Sequence, residues 1–199
     1  MAKIDISEVK RLRELTGVGI TDAKKALEET NGDFDKALEA MRVKGLAKAD
    51  KRSEREARNG VVGSYVHSDR IGVIVEVNCE TDFVARNEEF TSFVKDVAMH
   101  IAASSPLYVT REEVPADVVA KEQALVEAEL KESGKPAEMI AKIAEGKMDK
   151  WYDQVCLLNQ AYIKNPDQTV GDYLKERIAK LGENIVVRRF SRIQLGEVE

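Results

Sequence analysis

Over residues 72–77 apolar and polar positions alternate with the period of a half-buried strand, and from Asn87 onward apolar residues recur at helical spacing. Between the two lies Asn78-Cys79-Glu80-Thr81-Asp82-Phe83-Val84-Ala85-Arg86-Asn87. Phe83 and Val84 occupy a position where a connection is normally polar. A large aromatic at such a corner either plugs its own core or is offered to something else.

The same alternation extends upstream. Residues 61–66 read as a strand, His67-Ser68-Asp69-Arg70 as a turn and residues 71–78 as the return strand of a hairpin. Val73, Val75, Val77 and Cys79 share one face of the return strand, which makes Cys79 a small core residue. Asn87 can cap the following helix, and Phe90, Phe93, Val94, Val97, Ala98 and Ile101 form its apolar stripe. That stripe is a sufficient lid for the hairpin, so Phe83 and Val84 are left over.

Further along, residues 106–109 suit a short strand. Thr110 and Glu113 have capping-box spacing, and a long helix begins near Pro115 with Val119, Leu125, Val126 and Leu130 as its apolar positions. Gly134 breaks it, Pro136 opens another helix carrying Ile140 and Ile143, and Gly146 ends that one. Residues 151–158 read as helical and Asn165-Pro166-Asp167 as a turn. Thr169 caps a helix with Val170, Tyr173, Leu174, Ile178 and Leu181 before Gly182. Residues 185–195 form a strand whose alternation stumbles at Arg188-Arg189-Phe190, which predicts a bulge or an edge position. This strand would complete a small antiparallel sheet with the hairpin.

The first 45 residues follow a different period. Ser7 caps a helix with Val9, Leu12 and Leu15, ended by Gly17; Thr21 caps a second with Ala23, Ala26 and Leu27, stopped by Asn31-Gly32. Asp33 caps a third with Phe34, Ala37, Leu38 and Met41 before Gly45. Helices this short need a shared core, which gives a three-helix bundle of the ubiquitin-associated type. Val18 and Ile20, in the Gly17-Val18-Gly19-Ile20 turn, either form a contact surface or fold back into that core. Residues 46–59 mix both signs of charge and read as a linker. The predicted architecture is α+β: a three-helix module over residues 1–45, a charged linker over 46–59 and a core of small antiparallel sheet packed with helices over 60–199.

Composition narrows the function. The 199 residues carry a formal net charge of -5 with 34% charged residues, which argues against a general nucleic-acid binder. No run is apolar enough to span a membrane and no signal-peptide pattern follows Met1, so a cytoplasmic protein is expected. Cys79, Cys156, His67 and His100 do not fall at metal-ligand spacing, and no phosphate loop, HExxH or GxSxG is present. A binding protein without cofactor, metal or catalytic residue is expected.

Several stretches then carry a resemblance: Leu12-Arg13-Glu14-Leu15-Thr16-Gly17-Val18-Gly19, Asp22-Ala23-Lys24-Lys25-Ala26-Leu27, Asn31-Gly32-Asp33 and Met41-Arg42-Val43-Lys44-Gly45. To these add residues 78–86, Glu145-Gly146-Lys147, Gly182-Glu183-Asn184-Ile185 and Arg189-Phe190. From end to end the chain resembles the bacterial elongation factor Ts family, guanine-nucleotide exchange factors of elongation factor Tu. The resemblance implies that Thr81, Asp82, Phe83 and Val84 act beside the magnesium site of that GTPase. Phe83 would be the wedge, Asp82 would help displace what holds the metal, and Thr81 and Val84 would shape the turn. It offers Lys10, Arg13, Ile20, Thr21 and Lys24 as secondary partner contacts. The chain resembles the short form, without room for the second core half and protruding coiled coil of longer members. That form implies a homodimer joined through the C-terminal part of the core.

Two other readings compete. A ubiquitin-associated-type binding module fused to an unrelated domain would need its affinity from residues 1–45 alone and leaves the Phe83 corner without purpose. A small enzyme would use Cys79 as its nucleophile.

Overall fold

The computed structural model describes residues 4–132 and 137–197. It has the expected α+β class, with helices first and a sheet core after them. Helices α1 (Ile6–Thr16), α2 (Ile20–Glu29) and α3 (Phe34–Arg52) share a small core of Val9, Leu12, Ala23, Ala26, Leu27, Ala37 and Met41. Two caps differ from expectation. Asp5, two residues before Ser7, caps α1 by accepting from the Ser7 amide at 2.9 Å. Helix α2 starts at Ile20 after Gly19, so Thr21 lies inside the first turn and caps nothing. Asp33 does cap α3, accepting from the Lys36 amide.

Gly45 does not stop α3, which runs on to Arg52. The glycine serves a close approach instead: a Cβ there would meet the Ala179 Cβ at 3.2 Å. Before it Arg42 pairs with Glu176 at 2.6 Å; beyond it Ala49 enters the main core, Lys175 pairs with Asp50 at 2.9 Å and Arg52 donates to the Ile178 carbonyl at 2.9 Å. Helix packing along α8 (Val170–Leu181) thus extends α3 through the first part of the stretch read as a linker.

The sheet has the order β1–β2–β5, with β1 (Asn59–His67) and β5 (Ile185–Gln194) both antiparallel to the central β2 (Ile71–Cys79). Glu76 pairs with Arg189 and Val77 with Val187, so Arg188 is the extra residue of the expected bulge, on an edge strand. Val73, Val75, Val77 and Cys79 are buried beneath α5 (Glu88–Ser104), whose six expected stripe residues are buried too. Asn87 caps α5 by accepting from the Glu89 amide at 2.8 Å.

The middle of the chain departs most from expectation. Residues 106–109 make only an isolated bridge, between Tyr108 and Cys156. Helix α6 (Ala116–Glu132) packs along α7 (Ala137–Val155), which passes through Gly146 and absorbs Trp151. Nothing crowds Gly146, and the helix-forming residues around it outweigh its propensity cost of about 1 kcal/mol. Val126, Leu130 and Ala144 bury a seam separate from the main core, while Leu125 is exposed. Helices α6 and α7 thus pack on each other through a seam of their own. Gly134 and Pro136, expected to break one helix and open the other, lie outside the described residues. Asn165-Pro166-Asp167 is the start of β4 (Asn165–Thr169), paired with β3 (Ala161–Tyr162). Thr169 caps α8 in a full capping box with Asp172.

His100 of α5 is fully buried between these parts. Its Nδ1 accepts from the Ile163 amide at 3.3 Å, so Nε2 carries the proton and donates to the Gln160 Oε1 at 2.9 Å. Gln160 in turn donates to the carbonyls of Gln154 and Ser104. Burial holds the imidazole below its usual range, against the opposing hydrogen bond to Gln160. In the window below about 6.5 the unfolded chain binds more protons than the native one, so stability rises with pH there. We expect the denaturant midpoint to be highest above neutral pH and to fall as pH drops from about 6.5 through the depressed folded value. In His100→Leu, less stable at every pH, that component of the slope should vanish; equal slopes in the two proteins would show that His100 does not carry it.

Candidate functional site

Strand β2 ends at Cys79 and helix α5 begins at Glu88, each held in the same core. The intervening corner contains the single turn α4 (Asp82–Ala85). Thr81 is its N-cap: the backbone is extended at φ -127 and ψ 158, and its hydroxyl accepts from the Val84 amide at 3.4 Å. The capped turn aims consecutive side chains differently. Ala85 is buried, and Val84 packs partly against the core, so it is not surplus as the sequence suggested. Phe83 points away and is 80% exposed. Asp82 is exposed and pairs with Arg86 at 3.1 Å, both side chains open to solvent.

A layer of carboxylates and amides supports this turn from below. The Glu183 carboxylate accepts from the Glu80 amide at 3.1 Å, the Thr81 amide at 3.0 Å and the Thr81 hydroxyl at 2.6 Å. In return the Glu80 carboxylate accepts from the Asn184 amide at 2.6 Å and faces Arg55 at 3.5 Å. Asn59 donates to the Glu80 carbonyl at 2.7 Å. Within Gly182-Glu183-Asn184-Ile185 the local pattern assigns no role to the acid; the signal in the chain is an acid and an amide following a helix-ending glycine.

Cys79 lies under the corner, fully buried, with its thiol donating to the Thr81 carbonyl at 3.1 Å. Desolvation, and next the Glu183 charge, push that thiol up to about 11. A buried, protonated thiol is no nucleophile at neutral pH, which disfavours the cysteine-enzyme reading. Among the described residues no cluster of His, Cys, Asp or Glu is arranged to hold a metal ion.

The secondary residues stand on the first two helices. Lys10 and Arg13 are exposed on α1, Ile20 and Thr21 are exposed at the start of α2, and Lys24 is exposed beside Glu28 at 3.7 Å. Val18 folds back on the small core, so of the two apolar turn residues only Ile20 remains presented. Gly17 lets the bundle sit against α8: its φ is +66, and a Cβ would meet the Lys180 Cα at 2.7 Å. Arg13 and Gly17 thereby line one recess with Asn87, Glu89 and Lys180, next to the corner.

Because Phe83 makes so little use of its own core, its removal should not affect folding. Phe83→Ala is expected to unfold within about 0.5 kcal/mol of the parent. Phe93→Ala, which empties a fully buried site, should cost about 3–5 kcal/mol. Denaturant melts of the two variants compare them directly, and similar losses would mean that Phe83 is a core residue in solution.

The geometry can be set beside known proteins. The family model described as Elongation factor TS matches residues 2–197. Elongation factor Ts of Geobacter sp. (strain M21) is 55% identical over 195 residues, covering 98% of this chain and 90% of that protein. That of Geotalea daltonii is 56% identical over the same length, and that of Thermodesulfovibrio yellowstonii is 51% identical over 191 residues, covering 96% of both chains. With matches that run through the bundle, the Phe83 corner and the final strand alike, the chain belongs to the elongation factor Ts family.

Proposed function

We propose that this chain is a guanine-nucleotide exchange factor of elongation factor Tu, acting in the cytoplasm without covalent chemistry, and that the Phe83 corner is its working end. The observation that supports this most is an aromatic 80% exposed on a capped and braced turn. A solvent-facing Phe is held there at no gain to the fold, and burying it on a partner contributes about 1.5–3 kcal/mol. In this reading Phe83 wedges into the GTPase beside its magnesium and phosphate site. Asp82, whose pair with Arg86 is solvent-exposed and cheap to open, competes for what holds the metal. Thr81 and Val84 fix the turn. Mg2+ demands near-octahedral geometry, so a small displacement weakens its hold and that of the phosphates it bridges. The factor favours the nucleotide-free GTPase, and by linkage it lowers nucleotide affinity by the same factor. Reloading with GTP then follows from mass action.

The module of residues 1–45 would supply a second contact through Lys10, Arg13, Ile20, Thr21 and Lys24. The recess shared by Arg13 and Asn87 puts part of it beside the corner.

A homodimer fits one further observation. The sheet face turned away from α5 is left uncovered and carries exposed Val62, Val66, Ile74 and Ile193. By register Ile74 lies between Ser64 and Ser191, and Ile193 is opposite Gly72, itself opposite Val66. An apolar centre with small neighbours suits a self-complementary, twofold interface. We expect light scattering after gel filtration to give twice the mass of one chain, and Ile74→Asp to give a single-chain mass; a monomeric parent would overturn the dimer.

For exchange itself, release of fluorescent GDP from purified elongation factor Tu is the test. The parent should accelerate release, and Phe83→Ala should lose about tenfold or more of that acceleration. An unchanged rate would refute the wedge.

A further inference from the structure

Residues 182–184 join α8 to β5, about a hundred positions from the corner in sequence and in direct hydrogen-bonded contact with it. Where the β2 ladder ends, the amides of Glu80 and Thr81 need acceptors, and both use one oxygen of Glu183, at 3.1 and 3.0 Å. The other oxygen takes the Thr81 hydroxyl proton at 2.6 Å. That bond commits the hydroxyl hydrogen to Glu183 and leaves the Thr81 oxygen free to accept from the Val84 amide, the step that closes the turn under Phe83. The Glu80 carboxylate returns the contact through the Asn184 amide, and the Asn184 side chain donates to the carbonyls of Ser53 and Arg55 at 3.2 and 2.6 Å, just past the end of α3.

We infer that Glu183 is a positioning residue for nucleotide exchange. Its carboxylate, bound to the Glu80 and Thr81 amides and the Thr81 hydroxyl, sets the pose of the Phe83 turn before any partner arrives, while the neighbouring Asn184 ties the corner to the end of α3. The inference rests on the exchange function proposed above. At 80% exposed, Phe83 gains little orientation from packing, so its direction comes from the backbone beneath. A turn already held in its working geometry avoids the cost of ordering on contact. Charge-assisted bonds are the strong kind, and the two amides would be orphaned without the acid. Glutamine is the informative conservative change. Its carbonyl oxygen can accept both amides, and its amide can donate to the Thr81 oxygen, with the hydroxyl turned round.

The test follows fluorescent GDP release from elongation factor Tu across a concentration series of full-length Glu183→Ala, Glu183→Gln and parent protein. It is combined with amide hydrogen exchange of each factor alone. Glu183→Ala is expected to lower the maximal release rate about tenfold. Its half-saturating concentration should move less than about threefold, because the other contact surfaces remain. The hydrogen-bonded amides of the corner, those of Thr81, Val84, Ala85 and Arg86, should exchange at least about tenfold faster while those of β2 and α5 keep their protection. Glu183→Gln should stay close to the parent in both measurements. An unchanged maximal rate, a defect seen only in half-saturation, equal damage from Gln and Ala, or protection lost throughout β2 and α5 would each overturn the positioning role. If the parent itself does not accelerate release, the exchange function falls instead. Amide exchange then decides the remaining claim: unaltered protection at those corner amides in Glu183→Ala refutes the brace, and selective loss upholds it.

Discussion

Everything at the working end depends on one packing event, the burial of the α5 stripe against Val73, Val75, Val77 and Cys79 of β2. Each buried aliphatic or aromatic side chain contributes about 1.5–3 kcal/mol, enough collectively to hold strand and helix in one relation. With Cys79 and Phe90 both immobilised, the corner between them has two fixed ends and little freedom. The core is complete without Phe83, and that completeness is why an aromatic can stand 80% exposed there.

Helix α8 organises the other half. Its inner face supplies Val170, Tyr173, Leu174 and Ile178 to the main core. Its flank receives α3 through Arg42–Glu176 and Lys175–Asp50, and Arg177 and Lys180 meet Glu89 of α5, each at 2.6 Å. The lowered titration range of Glu89, set first by its hydrogen bond to Lys180, reflects that bridging place. At the C-terminal end of α8 the chain turns at Gly182 and delivers Glu183 and Asn184 to the corner. One helix thus locates both the N-terminal bundle and the underside of the Phe83 turn, and the two proposed contact surfaces share a scaffold.

Much of this was legible in the chain. Alternation placed β2, the Phe90–Ile101 periodicity placed α5, and Asn87, Asp33 and Thr169 cap as read, because these signals are local and nothing distant opposes them. The failures share a cause. Gly45 and Gly146 read as stops, yet both lie inside helices, since packing and neighbouring propensity override a single glycine. Thr21 has the side chain of a cap but sits two positions past the N-cap Gly19, and Asp5 takes the place expected of Ser7, because the entry angle of each helix is set by the bundle.

By itself the sequence determined the α+β class, the strand-to-corner-to-helix unit and the residues that carry family membership, because periodicity, caps and motifs are written in neighbouring positions. Only the tertiary structure decided which residues of the corner face outward. Val84 and Phe83 are adjacent and both apolar, and a one-turn helix with a threonine cap sends one to the core and the other to solvent. It alone also brought Glu183 beneath Thr81, since a hydrogen bond spanning that separation depends on where α8 packs and leaves no periodic trace in the chain.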